Sequence, residues 1–190
     1  MGYDLLAGLL FVAITPLVVL AFVVSWIMTH DRRGEVEAVW ERYASSRGLD
    51  FVAAVGEWPN RTNPSIVWET DNLVFRLGLR GREAHAATRI EVRPRGTVLG
   101  TAVISPGGGE TFRTFEKPDG TAARVFDRDA RKALLAFWQG DDVSVTYRRG
   151  LLTIAWAGGE TSDARLDQAR KVAERLAASV EDSFEGAAAA

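Results

Sequence analysis

An α+β fold is predicted for this chain: one N-terminal transmembrane helix, then a curved antiparallel sheet or partial barrel of about seven to nine strands with two to three packed helices. Three observations predict it. An uncharged apolar run near the N-terminus is long enough to cross a bilayer. A series of short period-two segments follows, separated by turn residues. Two later segments repeat apolar residues at helical spacing.

The apolar run comes first. Leu5 to Thr29 holds 25 residues without a charge, fifteen of them Leu, Ile, Val or Phe. At 1.5 Å per residue such a helix is about 37 Å long, enough for a hydrocarbon core of about 30 Å. Pro16 lies mid-run, where membranes tolerate it, and Trp26 sits where an interfacial aromatic anchors a span. A cleaved signal peptide does not fit. Met1–Asp4 carries no Lys or Arg, and Ser25-Trp26-Ile27-Met28 offers no small-residue cleavage site. Arg32, Arg33, Arg42 and Arg47 follow the run and no basic residue precedes it. Positive charge stays inside, so a single-pass protein with a cytoplasmic domain is expected. Twenty Arg against three Lys, with abundant Ala and Gly, suggest a GC-rich bacterial genome and hence the bacterial inner membrane.

Residues 1–4 then form a short tail, 5–29 the transmembrane helix, 30–48 a juxtamembrane helix, 49–184 a soluble α+β domain and 185–190 a disordered tail. In the juxtamembrane segment Val36, Val39, Trp40 and Tyr43 recur at i, i+3, i+4 and i+7, an amphipathic stripe expected to pack on the domain. Gly48 suits the helix end, and Gly34 marks either a break or a bend.

Strand signals fill the next stretch. Asp50–Val55 is short and apolar, and Glu57–Pro64 is a Pro- and Asn-rich loop. Ser65–Thr70 and Leu73–Arg80 flank Asp71-Asn72, a hairpin signal. Leu73, Phe75, Leu77 and Leu79 alternate with Val74, Arg76, Gly78 and Arg80. In Ala86–Arg93, Thr88, Ile90 and Val92 alternate with Arg89, Glu91 and Arg93. Val98–Ile104 reads as a strand ended by Pro106-Gly107-Gly108-Gly109. Thr111–Glu116 and Thr121–Phe126 read as a hairpin around Lys117-Pro118-Asp119-Gly120. Asp127 caps a helix running to Trp138, Val143–Tyr147 and Leu151–Trp156 form another hairpin, and a closing helix starts near Ser162. Its stripe is Leu166, Ala169, Ala173, Leu176 and Val180.

Chemistry is sparse. No cysteine is present, which excludes disulfides, zinc–thiolate sites and thiol nucleophiles. A net charge of −2 exerts no pull on nucleic acid, and none is expected as a partner. The two histidines, His30 and His85, stand far apart, so no metal site is expected. Pro106–Glu110 lacks the Gly-Lys-Ser/Thr ending of a phosphate loop. No cofactor and no catalytic residue are assigned. A hydrolase would have to draw on Asp127, Asp129, Asp141, Asp142 or His85.

The arginines are the strongest feature. Six lie between Arg76 and Arg95. Arg76, Arg80, Arg89 and Arg93 share the parity opposite the apolar positions, so a hairpin would gather them on one face. Such a face can hold anionic lipid headgroups, phosphorylated ligands or an acidic protein partner. A solvated sheet face in an Arg-rich chain is the simpler reading of the same residues. Trp58, in the Pro-rich loop, is a candidate contact residue. The function expected is that of a membrane-tethered, non-enzymatic interaction or scaffold module. The alternatives are a hydrolase-type enzyme with a carboxylate site and a structural subunit of a membrane complex.

Overall fold

The computed structural model describes residues 2–56, 61–81, 86–95, 98–108, 111–138 and 143–188, with side chains except at 2–13, 22, 25–33, 106, 108, 111 and 185–188. It divides into two units, Met1–Glu35 and Val36–Ala190. Unit 1 is the first part of helix α1 (Gly2–Arg47). Among the described residues no helix is long and apolar enough to cross a membrane. Most side chains of the uncharged run fall outside that set. The expected transmembrane and juxtamembrane helices form one helix that passes Gly34 without a break. A single Gly costs a helix only about 1 kcal/mol and does not force an end.

Unit 2 begins with the last turns of α1, which bury Val36, Trp40, Tyr43 and Ala44. The sheet strands are β1 (Asp50–Val52), β2 (Ser65–Thr70), β3 (Leu73–Arg80), β4 (Ala87–Val92), β5 (Thr101–Gly108), β6 (Thr111–Lys117), β7 (Ser144–Arg148) and β8 (Leu151–Ala157). Helices α2 (Thr121–Val125), α3 (Arg128–Trp138) and α4 (Asp163–Ala188) complete the fold. The eight strands make one open sheet in the order β1-β2-β3-β4-β8-β7-β5-β6, each pair of neighbours antiparallel. The sheet is open, with β1 and β6 as its edges.

Alternation builds the core. Phe75, Leu77, Ile90, Val92, Leu152, Ile154, Val145 and Tyr147 point inward and are at most 3% exposed. They form one cluster with the buried faces of α1, α3 and α4. The α4 stripe buries Leu166, Ala169, Ala173, Leu176 and Val180, as its spacing predicts. Residues of opposite parity face outward, the arrangement usual for an antiparallel sheet with one solvated side.

Two local expectations are corrected. Thr121–Phe126 is no strand. Its first five residues form α2, because the Glu116 carboxylate accepts the Ala122 N–H at 2.6 Å and the Thr121 hydroxyl donates to the Pro118 carbonyl at 2.6 Å. The Ala122 N–H holds the Glu116 carboxyl below its ordinary pKa. The second correction lies in β5, which runs through Pro106 to Gly108 and pairs with β6 there. Ile104↔Val145 is the last pair on the β7 side, so Pro106 removes no ladder donor from that neighbour.

Polar contacts tie α1 to α4. Tyr43 donates to Asp167 Oδ1 at 2.8 Å, and Arg47 grips both oxygens of the same carboxylate at 3.2 and 2.7 Å. The Arg47 fork, helped by the Tyr43 hydroxyl, holds the Asp167 carboxyl below its usual pKa against the opposing effect of burial. Burial and the Asp167 carboxylate push the Tyr43 phenol well above its ordinary value, so it stays a donor. A depressed folded pKa means stability that is present above the unfolded value, about 3.9, and lost as pH falls through the folded one. Wild type should therefore lead Asp167→Asn in urea midpoint at pH 6, and the lead should shrink towards pH 3. A gap that stays constant with pH would show that the carboxylate's charge plays no part.

Candidate anion-binding groove

Strands β3 and β4 pair antiparallel, so their outward-parity residues share one face. Phe75↔Val92 through Arg80↔Ala87 pair β3 with β4, which places Arg76 opposite Glu91 and Arg89 opposite Gly78. On the other side of β3, Ser65 of β2 faces Gly78 and Val67 faces Arg76. Ser65, Gly78 and Arg89 thus form one rung across three strands. A Cβ built on Gly78 meets nothing within 4 Å, so the space above that rung is open.

This space is a groove of about 270 Å³. Its floor is the rung plus Arg76 and Glu91, and its wall is Thr62, Asn63 and Pro64. Long-range contacts fix the wall. Asn63 Nδ2 donates to the Leu79 carbonyl at 3.0 Å. Thr62 and Val55 exchange backbone and hydroxyl bonds at 2.8 Å. Arg61 pairs with Glu37 of α1 at 2.8 Å, and Glu37 also accepts the Ala54 N–H at 3.0 Å. The helix that enters the domain therefore holds the loop that makes the wall.

Among the described residues, two guanidiniums and one carboxylate line the groove. Arg89 pairs with Glu91 at 3.0 Å, their side chains 27% and 26% exposed. Arg76 reaches the Ser65 hydroxyl at 3.4 Å, the outer limit of a hydrogen bond. Its described lining residues carry an excess positive charge, with Arg89 oriented by Glu91 and Arg76 weakly held.

The remaining candidates separate. Arg80 ends β3 opposite Ala87, and Arg93 lies one residue past β4; both are exposed and neither lines the groove. Trp58 lies outside the described residues, as do His85, Asp141 and Asp142. Asp127 caps α3 through the Ala130 N–H at 2.6 Å and pairs with Arg175 at 2.6 Å, while Asp129 stands 3.7 Å from the same guanidinium. These two carboxylates serve a helix end and an α3–α4 contact. Sequence reasoning missed Ser65, Asn63 and the Glu37–Arg61 pair. It passed over Gly78, although a glycine inside a strand signals an open or closely approached backbone.

No protein-family model matches the chain, and no curated protein matches it. Among solved structures, the crystal structure of the mycobacterial trehalose monomycolate transport factor A, TtfA, is similar. The TM-score is 0.60 at 11% sequence identity, covering 78% of this chain and 96% of that one. At that identity the likeness shows the fold and transfers no residue.

Proposed function

We propose that this chain is a membrane-tethered, non-enzymatic interaction module, held in a bacterial inner membrane by Leu5–Thr29 and offering the outward sheet face of its domain to a partner. The observation that carries this reading lies in α1. Residues 14–21, 23 and 24 are all exposed, and the large apolar ones, from Val23 at 43% to Leu17 at 66%, share that exposure. Leu17, Val18, Val19 and Leu20 are consecutive, so at about 100° per residue they cover every side of the helix. A helix apolar on all sides belongs in a large core or in a membrane. Apolar surface left in water costs about 25 cal/mol per Å², which lipid removes.

Arg32 and Arg33 just after the run favour a cytoplasmic domain. TtfA, similar in fold, is by name a transport factor, which supports an accessory role. The structural employment of Asp127 and Asp129 gives a hydrolase reading no support.

Carbonate extraction of membranes expressing the full chain, tagged after Ala190, tests the tether. The chain should stay in the pellet. Leu17→Arg with Leu20→Arg should release it, since each charge at a span centre costs about 2.5–3.5 kcal/mol. Wild type in the carbonate supernatant would overturn the tether. In spheroplasts, added protease should spare the tag; digestion would overturn the cytoplasmic orientation alone.

A further inference from the structure

We infer that the groove between Arg76 and Arg89 is a binding site for one phosphate monoester group. The inference deepens the interaction-module reading and rests on it for the ligand's role, but not for the binding itself.

Register supplies the first argument. Arg76 faces Glu91, and Arg89 sits two residues along the same strand, so the two arginines are diagonal cross-strand neighbours. Such positions lie about 7–8 Å apart, within reach of two long side chains converging on one group. Each guanidinium is a planar fork of donors. A carboxylate offers two oxygens and is filled by one fork. A phosphate monoester offers three, carries up to two negative charges, and can engage both forks.

Shape supplies the second. The open space over Gly78 lies between the two arginines, where any other residue would place a side chain. The groove volume, about 270 Å³, falls just under the range of about 300–1,000 Å³ typical for drug-sized ligands. A single headgroup-sized moiety fits that size.

The surrounding groups supply the third. Glu91 fixes Arg89 from one side, so that fork is oriented before a ligand arrives. Arg76, whose one hydrogen bond among the described residues is the 3.4 Å contact with Ser65 Oγ, can swing onto an anion at little loss. Glu91 also leaves a carboxylate at the groove edge to accept a hydroxyl beside the phosphate, as a phosphorylated polyol would provide.

The phosphate could be carried by a lipid or by a soluble metabolite, and two arms separate these sources. In the first, the full chain in neutral detergent micelles is titrated with glycerol 3-phosphate, with binding read by calorimetry. Saturable one-to-one binding is expected. Arg76→Gln and Arg89→Gln should each weaken it about tenfold or more, as the loss of a charge-assisted bond does. Gly78→Val should abolish it while leaving the melting temperature level or higher, because its Cβ meets no atom and Val suits a strand. Arg148→Gln, an exposed outward residue on β7, should change it less than twofold. No saturable binding overturns the proposal. So does equal weakening by Arg148→Gln, or full binding by Gly78→Val.

In the second arm the chain is placed in nanodiscs of phosphatidylcholine with or without phosphatidic acid. Competition by phosphatidic acid against glycerol 3-phosphate supports the groove and assigns the lipid as source. Undiminished binding supports the groove and assigns a soluble ligand. The micelle arm does not depend on the chain spanning a bilayer, so failure of the tether and failure of the groove give different results.

Discussion

Trp40→Ala should lower the unfolding free energy of the domain by about 3–5 kcal/mol, the usual cost of emptying a core position of a large aromatic. Trp40 is fully buried and is flanked on the same helix by buried Val36, Tyr43 and Ala44. Its indole N–H donates to the Glu160 carbonyl at 2.8 Å, in the link between β8 and α4. The substitution removes ring and donor together, leaving a cavity and an unpaired carbonyl. A domain of this size is stable by about 5–15 kcal/mol, so the loss is a large share of the total. Trp40→Phe separates the two effects. It keeps most of the apolar volume and should cost about 1–2 kcal/mol, near the net value of one hydrogen bond. Urea midpoints at unchanged slope read both variants. If Trp40→Ala falls within about 1 kcal/mol of wild type, the last turns of α1 are not part of the core.

Those turns were legible in the sequence because their spacing is local. Val36, Val39, Trp40 and Tyr43 write a helical stripe that needs no knowledge of the partner surface. The same holds for Leu73–Leu79, for Thr88–Val92 and for the α4 stripe, whose alternation or period alone sets which side is buried. Thr121–Val125 was not legible, because its helical state depends on the Glu116 side chain reaching Ala122. Nor was the strand order. The β7–β8 hairpin inserts between β4 and β5, a pairing across more than fifty residues that no local pattern encodes. The groove divides along the same line. Outward parity placed Arg76 and Arg89 on one face, but only the register brings them together across Gly78, and only long-range bonds at Asn63 and Arg61 raise a wall beside them. Arg80 and Arg93 share the parity and miss the groove because one ends β3 and the other lies beyond β4. Parity selects a face, and register selects the position on it.

A second large effect is expected at Gly100, where Gly100→Ala should cost roughly 2–6 kcal/mol from backbone strain and overpacking combined. Gly100 has φ of +137°, a conformation L side chains rarely adopt. A Cβ there would lie 2.6 Å from Thr121 Oγ1 and 2.9 Å from the Lys117 carbonyl oxygen. Neither neighbour can give way cheaply. Thr121 is fully buried, with its hydroxyl bonded to the Pro118 carbonyl at 2.6 Å, and the Lys117 oxygen is backbone. The contact sets α2 against the entry to β5, so the strain falls on the edge of the sheet where the β5–β6 hairpin is attached. Gly48→Ala supplies a reference with positive φ and no clash. Gly48 also has positive φ, +64°, but nothing lies within 4 Å of its Cβ position. It should cost only the left-handed penalty, about 1–2 kcal/mol. The difference between the two variants in denaturant midpoint then measures the clash together with the extra strain of φ +137° over φ +64°. A Gly100→Ala loss no larger than that of Gly48→Ala would mean that Thr121 and the Pro118 turn yield, and that α2 does not clamp the sheet edge.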